Sequence, residues 1–474
     1  MADADGVFDV IVIGSGPVGE SAAERAVRGG LTTAVVERRL VGGECNYYGC
    51  IPSKALLWPM ELAAAAGRMP GVEMRGPVDA AAVTARRDEF VSHYDDSELV
   101  RDVEHYPATF ARGQGRLAGP LRVEVTGPDG DVRALQARRA VVLATGSDPL
   151  IPDVPGLAEA RPWTNRDATA VHKAPERLVV IGGGPVACEM TQALQSLGSR
   201  DITMLVRDDR LLPRTEPFAG ELLAKSLQES GINVRFGHSA VRVDRPVPGG
   251  PVSVEVDDGS RIEADEILVA TGRRPVVRDI GLETAGLEPD GPVAVDRSMR
   301  ASGVPDGWLY AVGDINGLNQ LTHMGKYQAR VAADVIVAKA KGLPDDGPGL
   351  RDIADFRGAP QTIFTDPEIC MAGRTEAQAR ADGFNIRAVE VDMASVPGAQ
   401  LQADGYTGRA KAIVDEDRRV LIGVTIAGPG VNDHLHAATV AVTGEVRVDR
   451  LWHAVAAFPT VSEFWLYLLQ EYGL

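Results

Sequence analysis

The stretch FDVIVIGSGPVGESAAERA, residues 8–26, decides the fold. An apolar, β-branched run passes through a glycine turn into an Ala-rich helical pattern, the order in which a nucleotide-binding βαβ unit begins. Gly14 permits the tight bend, Gly16 lets the backbone approach a pyrophosphate, and Gly19 lets the helix pack on the strand. A glycine-rich turn alone is a weak signal. Here the next strand, TTAVVE at 32–37, closes on Glu37, 23 residues after Gly14, where a carboxylate can accept hydrogen bonds from a ribose.

The unit occurs twice. RLVVIGGGPVACEMTQALQSLG at 177–198 repeats strand, glycine turn and helix, with Gly182, Gly184 and Ala187 at the three motif positions. Each copy is followed by a later strand ending in the same tripeptide, VVLATGS at 141–147 and ILVATGR at 267–273. Pro, Gly and Asp concentrate at 151–162 and 341–350, as linkers require. LYAVGDING at 309–317 reads as a further strand returning to the first copy. Residues 351–474 alternate short strands with helical patterns and carry no nucleotide motif. The expected fold class is therefore α/β, with two Rossmann-like dinucleotide-binding domains and a C-terminal α+β domain. The boundaries read as 1–157 with 286–345, 158–285, and 350–474.

Bulk properties narrow the function. A chain of 474 residues exceeds one hydrophobic core, and 45% apolar content with 52 glycines and 30 prolines fits a folded protein rich in turns. A net charge of −17 offers no basic field for nucleic acid or anionic lipid. No apolar run reaches the ~18 residues that span a bilayer, and no positive region precedes the first apolar run, so a cytoplasmic protein without membrane attachment is expected. Four cysteines cannot form a structural disulfide framework, and a close pair in a reducing compartment points to catalysis or metal binding.

In the second copy the strand after the glycine turn reads DITMLVRDDR, with Val206 where Glu37 stands in the first. Arg207 follows, and Arg210 and Arg214 are close behind. A 2′-phosphate is accepted there more readily than at an acid, which favours NADP over NAD.

The segment GGECNYYGCIPSK, residues 42–54, holds Cys45 and Cys50. On one regular helix they would stand about 140° apart, too far for a disulfide, so Cys45 is expected to leave the helix. Asn46 and Gly49 tolerate irregular backbone, and Pro52 suits the first turn of a helix starting near Cys50. A cysteine at a helix N-terminus is biased toward thiolate, the form that performs disulfide exchange.

With both nucleotide motifs, LATGS, AVGDING and the C-terminal FPTVSE in order, this segment resembles the class I flavoprotein pyridine nucleotide-disulfide oxidoreductases. That family includes dihydrolipoamide dehydrogenase, glutathione reductase and mercuric reductase. The resemblance covers nearly the whole chain and implies FAD, NADP or NAD, and a homodimer formed through the C-terminal domain, whose active site is completed by the partner subunit. It implies that Cys45 is the interchange thiol facing a small-molecule substrate and Cys50 the thiol in charge-transfer contact with the flavin. Lys54 would pair with Glu189 beside the flavin, as a buried ammonium requires. FAD would be held by Gly14, Gly16, Gly19, Glu37, Arg38, Gly43, Lys54, Gly115, Thr145, Gly146, Ser147, Asp314, Leu321, Thr322 and His323. Gly182, Gly184, Ala187, Val206, Arg207, Val241 and Gly272 would hold the nicotinamide nucleotide. No resident metal is implied.

One departure bears directly on function. The family's C-terminal signature HPTxSE supplies a histidine that shuttles protons for the interchange thiol; here Phe458 takes its place and Glu463 remains. Among other candidates for the lost base, His434, His436 and His453 read as packed or solvated, and His93, Tyr47 and Tyr48 are stronger, although packing is the commoner role of such residues. The expected activity is electron transfer from NAD(P)H through FAD to the cysteine pair and on to a disulfide, thiol-type or other non-standard acceptor. The alternatives are a quinone or metal-ion reductase acting at the flavin, a carbon–sulfur cleaving relative that exploits the missing proton donor, and a non-catalytic flavin redox sensor. Restoring the base in Phe458→His is expected to raise kcat/KM for a small disulfide by about tenfold or more, given the usual contribution of general acid–base catalysis. An unchanged value in steady-state assays would show that proton transfer is not what this departure alters.

Overall fold

The computed structural model describes residues 6–106 and 108–474. The chain falls into two compact units, one of Met1–Ile51, Asp88–Asp148 and Arg273–Phe356, the other of Pro52–Arg87, Pro149–Gly272 and Arg357–Leu474. The stretches read as a FAD domain supply the bulk of the first unit. Those read as the second nucleotide domain and the C-terminal domain lie largely in the second.

The first unit is built on a seven-stranded sheet. Its order runs Ala108–Arg112, Thr33–Glu37, Val7–Ile13, Val132–Leu143, Arg122–Thr126, Gln114–Leu117, with Leu309–Ala311 pairing onto Val132–Leu143. The strands around Val7–Ile13 are parallel, with Ile13 opposite Val36 on one side and Leu143 on the other. The last three form an antiparallel meander. Parallel strands covered on both faces need near-continuous apolar sequence, and Val10, Ile11, Val12, Val35 and Val36 are all buried. Helices Pro17–Arg28 and Thr322–Ala340 cover one face through Ala22, Ala26, Ala329 and Ala332, small residues that allow close approach.

The second unit repeats the strategy in a four-stranded parallel sheet, ordered Asn233–Phe236, Asp201–Val206, Arg177–Ile181, Glu266–Val269. A three-stranded antiparallel meander, Ala240–Asp244, Val252–Val256 and Arg261–Ala264, accompanies it. The C-terminal stretch forms a five-stranded antiparallel sheet, Pro360–Ile363, Glu368–Gly373, Val420–Gly428, Arg409–Asp415, Ile386–Asp392. Helices Leu435–Thr443 and Phe464–Tyr472 contribute to the apolar core with that sheet. In the same unit Lys411 is buried against Glu216 at 3.0 Å, Glu376 at 2.6 Å and Glu390 at 3.1 Å. Three carboxylates hold its ammonium charged despite burial. Among the described residues no helix is long and apolar enough to cross a membrane.

The glycine turns explain why each copy carries its later ATG tripeptide. Gly14 (φ 102°) is packed so tightly on the carbonyl oxygen of Ala144 that a Cβ would overlap it, and Gly182 (φ 133°) meets Ala270 in the same way. Gly30 (φ 90°) has comparable backbone conformation but open space around it. Both Gly14→Ala and Gly30→Ala incur the cost of a left-handed residue, about 1–2 kcal/mol. Only Gly14→Ala adds the clash, so its loss of stability in urea unfolding is expected to exceed that of Gly30→Ala clearly; equal losses would show that the contact with Ala144 yields without cost.

Candidate functional site

In the first unit the turn delivers two groups to one cleft. Gly16 is the N-cap of helix Pro17–Arg28 in an extended conformation, and a Cβ there would meet nothing closer than Gly43 Cα at 3.9 Å. The helix N-terminus is thereby left open to an anion. Glu37, at the end of its strand, accepts hydrogen bonds from the backbone N–H of Ser15 at 2.8 Å and of Arg39 at 2.7 Å. Gly14, Glu37, Arg38, Gly115 and Thr145 line a single cleft together with Gln114 and Val276. Gly115 approaches so closely that a Cβ would stand 3.0 Å from Ile13 and Val36 side chains. An extended nucleotide with a ribose at Glu37 and a pyrophosphate at Gly16 fits this donor set and this space.

A polar chain continues from the cleft. Ser147 Oγ donates to Asp314 Oδ2 at 2.5 Å, and Arg273 Nε donates to Ser147 Oγ at 2.7 Å. Arg273 also reaches Glu44 at 3.5 Å. Gly146 has φ 70°. Leu321 caps helix Thr322–Ala340, which places Thr322 and His323 in its first turn. Thr322 Oγ1 lies 3.3 Å from Cys50 Sγ.

In the cysteine segment Cys45 lies off the helix that Cys50 opens, as expected, with one addition. Cys45 lies in a separate one-turn helix of its own, Gly43–Tyr47, while Cys50 opens a second helix, Cys50–Gly67. The break falls at Tyr48 (φ −136°, ψ 3°) and Gly49, where a Cβ would press on Glu44 O at 3.1 Å and Cys45 Cα at 3.4 Å. Folding the short helix back in this way lets the Cys45 side chain hydrogen-bond Cys50, and that bond together with burial pushes the Cys45 thiol up. Pro52 occupies the first turn of the second helix, where its missing N–H costs nothing.

Three tyrosines surround this turn. Tyr48 and Tyr94 are stacked at 5.5 Å with rings 28° apart, and Tyr47 is 6.3 Å from Tyr94. Tyr47 is buried, and burial pushes its phenol up to about 12, so it remains a hydrogen-bond donor. Tyr94 ends a run of three successive left-handed residues, Ser92 (φ 47°), His93 (φ 50°) and Tyr94 (φ 62°). Each non-glycine residue in that conformation costs about 1–2 kcal/mol. The turn is held by Tyr94 N–H to Val91 O at 2.8 Å and Asp95 N–H to Ser92 O at 2.9 Å. Asp96 anchors it further, accepting from Val41 N–H at 2.7 Å and Arg112 at 2.6 Å. His93 is exposed and faces Glu89 at 3.3 Å.

The second unit holds the other charged pair. Lys54 Nζ donates to Glu189 Oε2 at 2.7 Å, and the second carboxylate oxygen accepts the Phe364 N–H at 3.0 Å. The Lys54 ammonium also stands 4.6 Å over the Phe364 ring. Glu189 lies in helix Pro185–Ser196, whose N-cap Gly184 leaves open space and whose Ala187 is fully buried. Val206 is buried at the strand end against Gly183, while the Arg207 side chain is 86% exposed and only 4.0 Å from Asp208. Arg210 donates to Pro213 O at 2.9 Å. Gly272 (φ 139°) lies in the turn between strands Glu266–Val269 and Arg273–Pro275, and Val241 lies exposed on strand Ala240–Asp244.

At the C-terminal segment Phe458 is 75% exposed and Glu463 is buried with Oε2 lacking a partner among the described residues. His434 Nδ1 lies 3.0 Å from Ser462 Oγ and its ring meets Phe464 edge-on, so the histidine read as merely packed is tied to the FPTVSE segment. Burial lowers its pKa and keeps the imidazole neutral. Sequence reasoning missed the parts played by Arg273, Phe364 and Tyr94, each of which reaches its neighbours from a distant stretch of chain.

Comparison with known proteins accords with this arrangement. Residues 8–334 match the family described as pyridine nucleotide-disulphide oxidoreductase, and residues 359–468 match its dimerisation domain. A mercuric reductase of Staphylococcus aureus is 30% identical over 465 residues, covering 97% of this chain and 81% of its own. A dihydrolipoyl dehydrogenase of Thermus scotoductus is 32% identical over 467 residues, covering 96% and 95%. Among solved structures, the Cu(II) complex of the HOCl-induced flavoprotein disulfide reductase RclA from Escherichia coli shares the fold, with TM-score 0.82, 22% identity and coverage of 98% and 99%.

Replacing Lys54 by Met removes the ammonium from Glu189 and leaves it the hydrogen bond from the Phe364 N–H. With Lys54 partly exposed, the loss is expected to be about 2 kcal/mol in urea unfolding, below the usual figure for a fully buried pair. Lys54→Met combined with Glu189→Leu is expected to recover part of it, because no charge is then left buried. A double variant no more stable than the single one would show that the pair contributes by its own attraction.

Proposed function

Since the chain belongs to the pyridine nucleotide-disulphide oxidoreductase family, whose members bind FAD and depend on NAD(P), we propose that electrons from NADPH reach the Cys45–Cys50 pair and pass from it to a disulfide, thiol-type or other non-standard acceptor. The observation that carries this reading is the placement of Cys50 at the start of an 18-residue helix, within reach of Thr322 and hydrogen-bonded by Cys45, in the unit that also holds the nucleotide cleft.

The chain's own residues divide the work. Glu37 is proposed to take the adenosine ribose and the Gly16 helix terminus the pyrophosphate, while the Asp314, Ser147 and Arg273 chain orients the remainder of the FAD. When bound, FAD would supply two-electron exchange between the nicotinamide and the disulfide. Gly182, Gly184 and Ala187 serve the nicotinamide nucleotide, with Val206 and the exposed Arg207 favouring a 2′-phosphate. Cys50 is the thiol held for the flavin and Cys45 the one offered to substrate; Lys54 and Glu189 form the charge pair that serves flavin reduction. The working form is a homodimer in the cytoplasm, with Phe458 and Glu463 of the C-terminal domain contributed to the partner's substrate side. The relatives named mercuric reductase support a second reading, reduction of Hg²⁺.

Anaerobic addition of NADPH to the FAD-loaded, oxidised protein, followed by alkylation and peptide mass spectrometry, is expected to label Cys45 and Cys50 anew. No new label at either cysteine would overturn the reading. Arg207→Glu is expected to lower the ratio of kcat/KM for NADPH over NADH by roughly tenfold, with like charge now facing the 2′-phosphate; an unchanged ratio would remove the basis for preferring NADP. Turnover with lipoamide, small disulfides, a quinone and Hg²⁺ ranks the acceptors.

A further inference from the structure

We propose that the stacked Tyr48–Tyr94 pair is the binding platform for the acceptor, and that the acceptor is a planar quinone reduced by the Cys45–Cys50 dithiol. The inference rests on the function proposed above and names its substrate class.

The platform is built at evident cost. Three consecutive residues adopt left-handed backbone to bring Tyr94 over Tyr48, and Asp96, Val41 and Arg112 hold the turn in place. Tyr47 fills the buried position, while the rings of Tyr48 and Tyr94 are partly exposed and the Tyr94 hydroxyl is buried. Strained backbone that surrounding structure holds in place clusters at ligand-binding sites. Tyr48 follows Cys45 by three residues across the break between the two helices, so the stack and the interchange thiol are presented by the same short turn. A flat ring gains from contact with aromatic side chains at their faces or edges, and a flexible aliphatic disulfide gains little.

The step balances in electrons and protons, and the missing acid at position 458 bears on the choice of acceptor. Reduction of a disulfide substrate expels a thiolate, for which the family's histidine is the acid, and this chain has Phe458 there. Quinone reduction takes two electrons and two protons, and a dithiol carries both. Two S–H bonds break, one S–S bond forms between Cys45 and Cys50, and two O–H bonds form on the quinone oxygens, giving the hydroquinone. NADPH and one proton from solvent then restore the dithiol, so that NADPH, a proton and the quinone become NADP⁺ and the hydroquinone.

Steady-state kinetics of FAD-loaded Tyr48→Leu and Tyr94→Leu with methyl-1,4-benzoquinone and, separately, a small aromatic-free disulfide provide the test. The expected result is a quinone KM raised roughly fivefold to tenfold by either change, with Phe replacements within about twofold of the parent and the disulfide KM unmoved. An unchanged quinone KM, or an equal rise for both acceptors, would overturn the platform. Quinone turnover that survives Cys45→Ser would overturn the dithiol route. Should the Leu variants fail to retain FAD, a redox-inert naphthalene sulfonate is expected to compete with the quinone and not with the disulfide in the unaltered protein, and absence of that competition overturns the platform equally. Failure of the NADPH-dependent cysteine labelling would instead sink the underlying electron route, whatever the tyrosine variants do.

Discussion

The contact on which this structure depends is the approach of a glycine to a strand-end carbonyl, Gly14 to Ala144 in one unit and Gly182 to Ala270 in the other. No residue with a Cβ can make it at those φ angles. Because the turn is closed there, the following helix starts at once, with Pro17 or Pro185 in its first turn and an open glycine N-cap before it. Gly19 is needed in the first unit because a Cβ would strike the Gly14 carbonyl, whereas Ala187 is accommodated in the second. Nucleotide binding in each unit follows from backbone geometry before any polar side chain is considered.

The redox segment depends on a different constraint. Five residues of separation cannot bring two cysteines together on one helix. The chain solves this with two helices and a break at Tyr48 and Gly49, tight enough that Gly49 has the Glu44 and Cys45 backbone as its neighbour. Thr322 beside Cys50 and Lys54 with Glu189 are the contacts proposed to serve the flavin. On the side proposed to face substrate, Tyr48 stacks on Tyr94, a left-handed segment carries Tyr94, and Phe458 stands where the resembled signature has a histidine.

Much of this was legible in the sequence, for reasons that differ by residue. The strand, glycine turn and helix at 8–26 were readable because every contact that matters there is local or repeats a fixed spacing. Glu37 was found by its distance from Gly14, and the Lys54–Glu189 pair by the family resemblance, in keeping with the requirement that a buried charge be matched. The helix break was read correctly but incompletely. Spacing showed that one helix would not serve, but not that Cys45 would keep a helix of its own. His434 packs as read, but its link to Ser462 spans 28 residues that no periodicity connects.

What the amino-acid sequence determined by itself was the type of fold, the repeated nucleotide-binding plan, the redox cysteines and the absence of the histidine, since each is written in neighbouring residues whose chemistry acts over one turn or one strand. Tertiary structure alone decided the company those residues keep. Arg273 joins Ser147 across 126 positions, Phe364 offers its N–H to Glu189 across 175, and Tyr94 comes to rest on Tyr48 through a backbone conformation that no sequence pattern announces. Such contacts are fixed by how sheets and helices pack after they form, so the identity of the electron carrier is local information and the choice of its acceptor is not.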